Sequence, residues 1–286
     1  MSKEISLKNK AVKFYDNIKL NLGIKKFFKY IAKLLLKIHY FLLALLYYYP
    51  KYKVENYVGR KISPKLKVLE GPFKKLAYPY FPLPEQHFST ILPKISGAYE
   101  KELFPVIKQI NKQKYSVFIN IGSDEGYYAV GLGKLNPQAK VYAIDINKKA
   151  LSFSVEMAKN NDVKNYFSVE SSSPFAIDRL IENKTCIICD CEGYEKTLLN
   201  PKKIGGLINS DILVEVHGKA IGDILQKRFS PTHNIKKITQ TNKMIAKVPI
   251  KFLFLNYFHT IDEMRSEECF WFFLKSHSHN PKGSGA

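Results

Sequence analysis

Arginine is nearly missing from this 286-residue chain: Arg60, Arg179, Arg228 and Arg265 stand among 45 basic residues. Cysteine is scarce as well, with Cys186, Cys189, Cys191 and Cys269 alone. A disulfide-stapled secreted fold is denser in cysteine, so the count points to a reducing, cytoplasmic setting. Zinc wants paired C-x-x-C units or histidines at ligand spacing, and the C-x-x-C-x-C of Cys186–Cys191 lies on an apolar run that offers neither. Long apolar runs are missing too. Tyr40–Tyr49 is uncharged for ten residues, about half of what a bilayer span needs. It lies too far from the start, with no small-residue cleavage site after it, to be a signal peptide. No internal repeat is visible. A wholly disordered chain is excluded by an apolar content of 45%.

Acidic residues are few, 25 in all, which leaves a formal charge of +20. Residues 1–75 hold 18 Lys and Arg against four acids, a net +14, so a charge-selected partner meets this part of the chain. In residues 24–49, Lys26, Lys29, Lys33 and Lys37 recur at helical spacing, with Phe27, Phe28, Ile31, Leu34, Leu35 and Ile38 covering the rest. Such a helix suits an anionic membrane surface, and equally packing on the main domain or on a second subunit. Pro50 stops it. Residues 51–98 carry Pro64, Pro72, Pro79, Pro82, Pro84 and Pro93 and read as an irregular connecting or lid region over apolar surface.

From Tyr99 the pattern turns into strands alternating with helices: strands at 115–122, 140–145, 165–170, 185–191, 211–217, 233–241 and 268–276, with short amphipathic helices between them. Near-continuous apolar strands alternating with helices predict an α/β domain over 99–276, with a mostly parallel, doubly wound, Rossmann-like sheet behind an N-terminal helical extension. Residues 277–286 read as a mobile tail, and His277 and His279 as part of it rather than a metal site.

Two familiar phosphate loops are absent. The turn after the first strand reads Gly122-Ser-Asp-Glu-Gly126, which is neither GxGxxG nor GxxxxGK[ST]. Its acids repel a pyrophosphate, and the turn suits a nucleoside with a cationic centre. The second strand ends in Asp145, where a carboxylate can accept both ribose hydroxyls or cap the next helix. The fourth strand ends in Cys-Asp-Cys-Glu-Gly-Tyr-Glu (189–195), and period two puts Asp190 and Glu192 on one side, with Cys189 and Cys191 facing away. The neighbouring strand ends in Glu215 and His217. These polar groups converge where a hydroxyl could be deprotonated, with His217 as general base and Asp190 or Glu192 holding the hydroxyl or a divalent cation. His233 reads as structural. His87, in the proline-rich loop, is suggested as a site residue by position only, and Arg265 in DEMRSEE suits either pairing with the neighbouring acids or binding an acidic substrate.

FINIGSDEGYYAVGLG (118–133) and VYAIDIN (141–147) resemble the first two motifs of class I S-adenosylmethionine-dependent methyltransferases, over about Tyr99–Lys275. With DCEGYE (190–195) and VEVH (214–217), and with GPFKKLAYPY (71–80) and ISGAYEKEL (95–103), the chain is similar to the FkbM-like branch, often found beside polysaccharide genes. The resemblance implies a seven-stranded sheet whose last strand is antiparallel. It implies S-adenosylmethionine as cofactor, with Gly122, Ser123, Glu125, Gly126 and Tyr127 along its methionine part and Asp145 and Ile146 at the ribose. It sets Glu170, Ser171 and Ser172 near the adenine and Asp190 by the sulfonium. Likeness to catechol-type enzymes adds Mg2+ or Mn2+ on Asp190, Glu215 and His217. The implied activity is O-methylation of a sugar, glycan or glycolipid hydroxyl by a protein peripheral to the inner face of a membrane. Its rivals are a non-catalytic polysaccharide-assembly module and an RNA 2′-O-methyltransferase. No nucleic-acid module is visible, and the Asn/Asp-Pro-Pro-aromatic stretch of base N-methylation is absent.

Overall fold

A computed structural model of the chain describes residues 22–43, 46, 49–83, 91–171, 173–240 and 269–279. The chain divides into two compact units, Met1–Lys51 and Tyr52–Ala286. The first contains helix α1 (Leu22–Leu43). Helix α2 (Tyr49–Ile62) follows, and here the sequence expectation needs correcting. Pro50 does not break the chain into irregular structure. It sits in the first turn of α2, where no intrahelical N–H bond is lost. The short α3 (Ile91–Ser96) likewise takes Pro93 into its first turn.

Residues 66–81 of the proline-rich stretch are tied into the core. Val68 N donates to Leu76 O (2.8 Å) and Tyr78 N to Leu66 O (3.0 Å), and Leu66, Val68, Phe73, Leu76, Tyr78 and Phe81 are all buried. Burying each of these large apolar side chains contributes about 1.5–3 kcal/mol.

The rest of the second unit alternates: α4 (Phe104–Lys112), β1 (Val117–Ile121), α5 (Tyr127–Leu135), β2 (Lys140–Asp145), α6 (Lys148–Asn160), β3 (Tyr166–Glu170), α7 (Pro174–Asp178), β4 (Thr185–Cys189), α8 (Glu195–Leu198), β5 (Asp211–His217), α9 (Lys219–Phe229), β6 (His233–Thr239) and β7 (Cys269–Ser276). The strands form one seven-stranded sheet in the order β3-β2-β1-β4-β5-β7-β6. β7 is antiparallel to both neighbours and every other pair is parallel. This is the doubly wound, mostly parallel architecture expected from the sequence.

Burial on both faces explains why β1, β4 and β5 read as near-continuous apolar runs. Phe118, Cys186, Ile188 and Leu213 enter the core on one face, with α4, α5 and α6. Val117, Ile119, Ile121, Ile187, Cys189 and Val214 enter the core on the other, with Ile177, Leu198, Leu225 and Phe229 from α7, α8 and α9. A strand covered on both faces has no side to leave polar. Chain order reverses between β1 and β4, and this opens a crevice beyond their carboxyl ends.

Residues 277–279, expected to belong to a mobile tail, are hydrogen-bonded to the end of β7 and to Asp211. Residues 277–279 form a 3-10 turn, with Ser278 Oγ bonded to Ser276 Oγ (2.8 Å) and His279 Nδ1 3.2 Å from Asp211 Oδ1. The expected tail residues 280–286, along with His87, Ser172 and Arg265, lie outside the described residues. No described helix is long and apolar enough to cross a membrane.

Candidate active site

The crevice is built first by a glycine. Gly122 has φ +72°, and a Cβ there would fall 1.6 Å from the Asp190 carbonyl oxygen. Only glycine lets the β1 turn close against the end of β4. The turn then stands on the next strand: Gly122 N and Ser123 N donate to Ile144 O at 2.9 and 3.0 Å. Asp124, itself left-handed at φ 45°, donates its N–H to Asp145 Oδ2 at 2.9 Å. Asp145 Oδ1 accepts from Asn147 N at 2.9 Å.

Asp145 is therefore not the cap of α6. Asn147 is, accepting from Lys149 N and Ala150 N. The Asp145 carboxylate is held rigid by two backbone donors, with lone pairs left over for hydroxyls. Ile146 beside it is 73% exposed, an apolar surface of the kind a flat base covers. Glu170 pairs with Asp145 in register at the end of β3 and meets Lys148 Nζ at 3.3 Å, while Ser171 Oγ accepts from Ser173 N. Ser123 Oγ is buried with no partner among the described residues.

Two expected residues turn the other way. The Glu125 carboxylate is fully buried, 2.6 Å from Lys94 Nζ and 3.1 Å from the Tyr78 hydroxyl. Tyr127 is buried against Phe73 and Tyr99. Both side chains brace the turn from below instead of lining its open side. Burial alone pulls the Lys94 pKa down, but the charges of Glu125 and Asp124 more than offset it, and Lys94 stays cationic beneath the loop.

On the other side of the crevice stands His217. Its Nδ1 lies 2.9 Å from Glu195 Oε1, and the same oxygen accepts from Cys191 N (3.1 Å) and Gly193 N (3.0 Å). With Nδ1 engaged, Nε2 faces Glu192 Oε2 at 3.6 Å, Asp190 Oδ1 at 3.8 Å and Glu215 Oε2 at 3.9 Å. These separations are too long for hydrogen bonds, so Nε2 remains available.

β4 stops at Cys189, two residues before the expected end, so strand alternation alone does not align Asp190 with Glu192. Left-handed Glu192 (φ 50°) and Gly193 (φ 97°) curl the chain until both carboxylates reach His217. Cys189 is buried in the core face, and its Sγ is 3.5 Å from Cys191 Sγ. The Cys191 contact and burial push the Cys189 thiol up, so it stays protonated and inert.

The charges are strongly coupled. Burial, then Glu215, Glu100 and Glu192, push the Asp190 carboxyl well above its usual range. Burial opposes protonation of His217, yet the Glu195 bond and the Glu215, Glu195 and Glu192 charges raise its pKa overall. Burial raises Glu195, but the His217 bond and charge and the backbone donors bring it down on balance. The cluster thus holds protons that a cation could replace. His217 with Asp190 and Glu192, and His217 with Glu215 and Cys269, each offer three ligand atoms within 4.8 Å of one another. The expected set of Asp190, Glu215 and His217 overlaps both. A nitrogen with carboxylate oxygens fits a divalent cation of the Mg2+ or Mn2+ class, whereas the Cys269 sulfur does not.

No family model and no curated protein sequence matches the chain. Solved structures with a similar fold do. An rRNA methylase from Streptococcus thermophilus shares 11% identity over 62% of this chain and 98% of its own, with a TM-score of 0.45. A precorrin-6y C5,15-methyltransferase from Geobacter metallireducens shares 13% over 60% and 89%, at 0.39. TrmK of M. capricolum, in complex with S-adenosyl-homocysteine, shares 14% over 60% and 67%, at 0.38.

Three contributors escaped the sequence reading. Glu195 follows Glu192 by three residues in EGYE, a spacing that could have flagged it. Glu100, fully buried and bonded to the Tyr128 hydroxyl, follows Gly97 in the ISGAYEKEL stretch, which had been assigned no site role. Lys94 is the one charge in ILPKIS, and nothing local says what it pairs with. His233 is as expected structural: Nε2 lies 2.9 Å from Ser210 O, and burial lowers its pKa.

Proposed function

We propose that this chain is an S-adenosylmethionine-dependent O-methyltransferase acting on a hydroxyl of a sugar, glycan or glycolipid. The observation that carries the reading is the two-sided crevice: the Gly122 turn with a braced Asp145 on one side and the Glu195-oriented His217 on the other. When bound, the cofactor supplies an electrophilic methyl group. The residues present fit it. Asp145 has lone pairs for the ribose hydroxyls, Ile146 offers a flat apolar surface, and the orphan Ser123 hydroxyl and the cleared face of Gly122 lie along the turn.

The chain's own task is the acceptor. The Glu195 carboxylate fixes Nδ1–H of His217, so Nε2 would accept the proton of the acceptor hydroxyl. Asp190, Glu192 and Glu215 orient the hydroxyl or hold a divalent cation that lowers its pKa. Several carboxylates around one nitrogen repel a phosphate backbone and suit a neutral, hydroxyl-rich acceptor. This supports a sugar over RNA.

Calorimetry with S-adenosylmethionine tests the reading. Binding that weakens in Asp145→Ala and persists in His217→Ala supports it. Absence of binding at millimolar ligand, with the protein folded, refutes it. Methyl transfer to neutral oligosaccharides, abolished in His217→Ala, then tests the acceptor class.

A further inference from the structure

The first unit carries a feature that methyl transfer does not use. At about 100° per residue, Lys26, Lys29, Lys33 and Lys37 of α1 fall within an arc of roughly 80°. Leu34, Phe27, Ile38, Ile31, Leu42 and Leu35 fall within an arc of roughly 100° whose centre is about 150° away. The helix contains no acid over its 22 residues. Its apolar arc is not buried: Phe27 is 61% and Leu35 59% exposed, and Leu34, Ile38 and Leu42 are exposed as well. Contiguous apolar surface of this kind marks an interaction site.

We infer that α1 lies in the plane of an anionic lipid surface, with its apolar arc in the acyl boundary and its lysines at the headgroups. Four lysines set along the middle of the helix exclude a span, in agreement with the lack of any described helix apolar enough to cross. Nucleic acid would satisfy the lysines and leave Leu34, Leu35 and Phe27 in water. An anionic interface satisfies both arcs at once. Lysine stems are long enough to let the ammonium groups reach the headgroups while the helix sinks to the depth its apolar arc requires. This inference does not depend on the methyltransferase reading.

The test is co-sedimentation of the full chain with vesicles of phosphatidylcholine alone and of phosphatidylcholine mixed with phosphatidylglycerol. Binding to the mixed vesicles only, weakening as salt rises, is expected. Replacing Lys26, Lys29, Lys33 and Lys37 by Gln should weaken partitioning roughly fivefold per lysine. The double variant Phe27→Asp, Leu35→Asp should abolish it. Equal binding to both vesicle types, or none to either, overturns the inference, and this comparison needs no variant. A dimer that the double variant splits, in a chain that ignores vesicles, also overturns it and assigns the apolar arc to a second copy.

Discussion

Gly122→Ala and Gly193→Ala are matched substitutions, one on each side of the crevice, that share a backbone problem but not a steric one. Both glycines are left-handed, at φ +72° and +97°. An alanine pays about 1–2 kcal/mol for that conformation at either site. At Gly193 nothing lies within 4 Å of the new Cβ, so the cost ends there. At Gly122 the new Cβ falls 1.6 Å from Asp190 O and 2.8 Å from its carbonyl carbon. Backbone must move, because neither atom belongs to a flexible side chain. Overpacking of this kind adds about 1–3 kcal/mol. Gly122→Ala should therefore lose roughly 2–5 kcal/mol and Gly193→Ala only 1–2, measured as unfolding free energy in urea with unchanged m-values. The new methyl also fills the cleared face of the β1 turn, so Gly122→Ala should weaken S-adenosylmethionine binding even where it remains folded. Equal losses in the two variants would refute the claim that the β1 turn closes on the end of β4.

Three further outcomes follow from the charges. Lys94→Met strips Glu125 of a buried cation at 2.6 Å and should cost about 3–5 kcal/mol in urea unfolding, most of it recovered in Lys94→Met, Glu125→Leu. Asp190→Asn should raise the melting temperature at neutral pH: a carboxyl whose folded pKa is raised loses stability as pH climbs from its unfolded value of about 4, so the gain must vanish near pH 4. Glu195→Gln should lower the pKa of His217, read from its ring proton shift by NMR. The folded pKa of His217 is raised, so its contribution to stability is complete below about pH 6.5 and lost as pH rises through the folded value, and the variant should flatten that loss.

Much of the candidate site was legible because its residues sit at strand ends. VFINIG followed by a glycine turn, VYAID ending in an acid, and VEVH ending in a histidine place Gly122, Asp145 and His217 once the sheet is recognised as parallel. Asp190 and Glu192 were paired correctly by a rule that does not hold there. β4 ends before them, and it is the left-handed Glu192 and Gly193 that bring their carboxylates together. Glu125 and Tyr127 show the opposite case. Their place in the glycine turn suggested contact with a ligand, but packing against Lys94, Phe73 and Tyr99 turns both inward. Pro50 and Pro93 read as breakers because position within a helix decides what proline does, and the helix starts could not be located beforehand.

The amino-acid sequence by itself determined the order of strands and helices, the burial of the central strands on both faces, and the turns that end β1 and β2 beside the crevice. Those properties follow from periodicity and turn chemistry, which act over a few residues. Which side chains brace the turn and which orient the histidine was decided only by the tertiary structure. Lys94 meets Glu125 across 31 positions and Glu195 meets His217 across 22. Partners so far apart in sequence are brought within reach only by packing on the sheet, and burial is what makes leaving such a charge unpartnered costly.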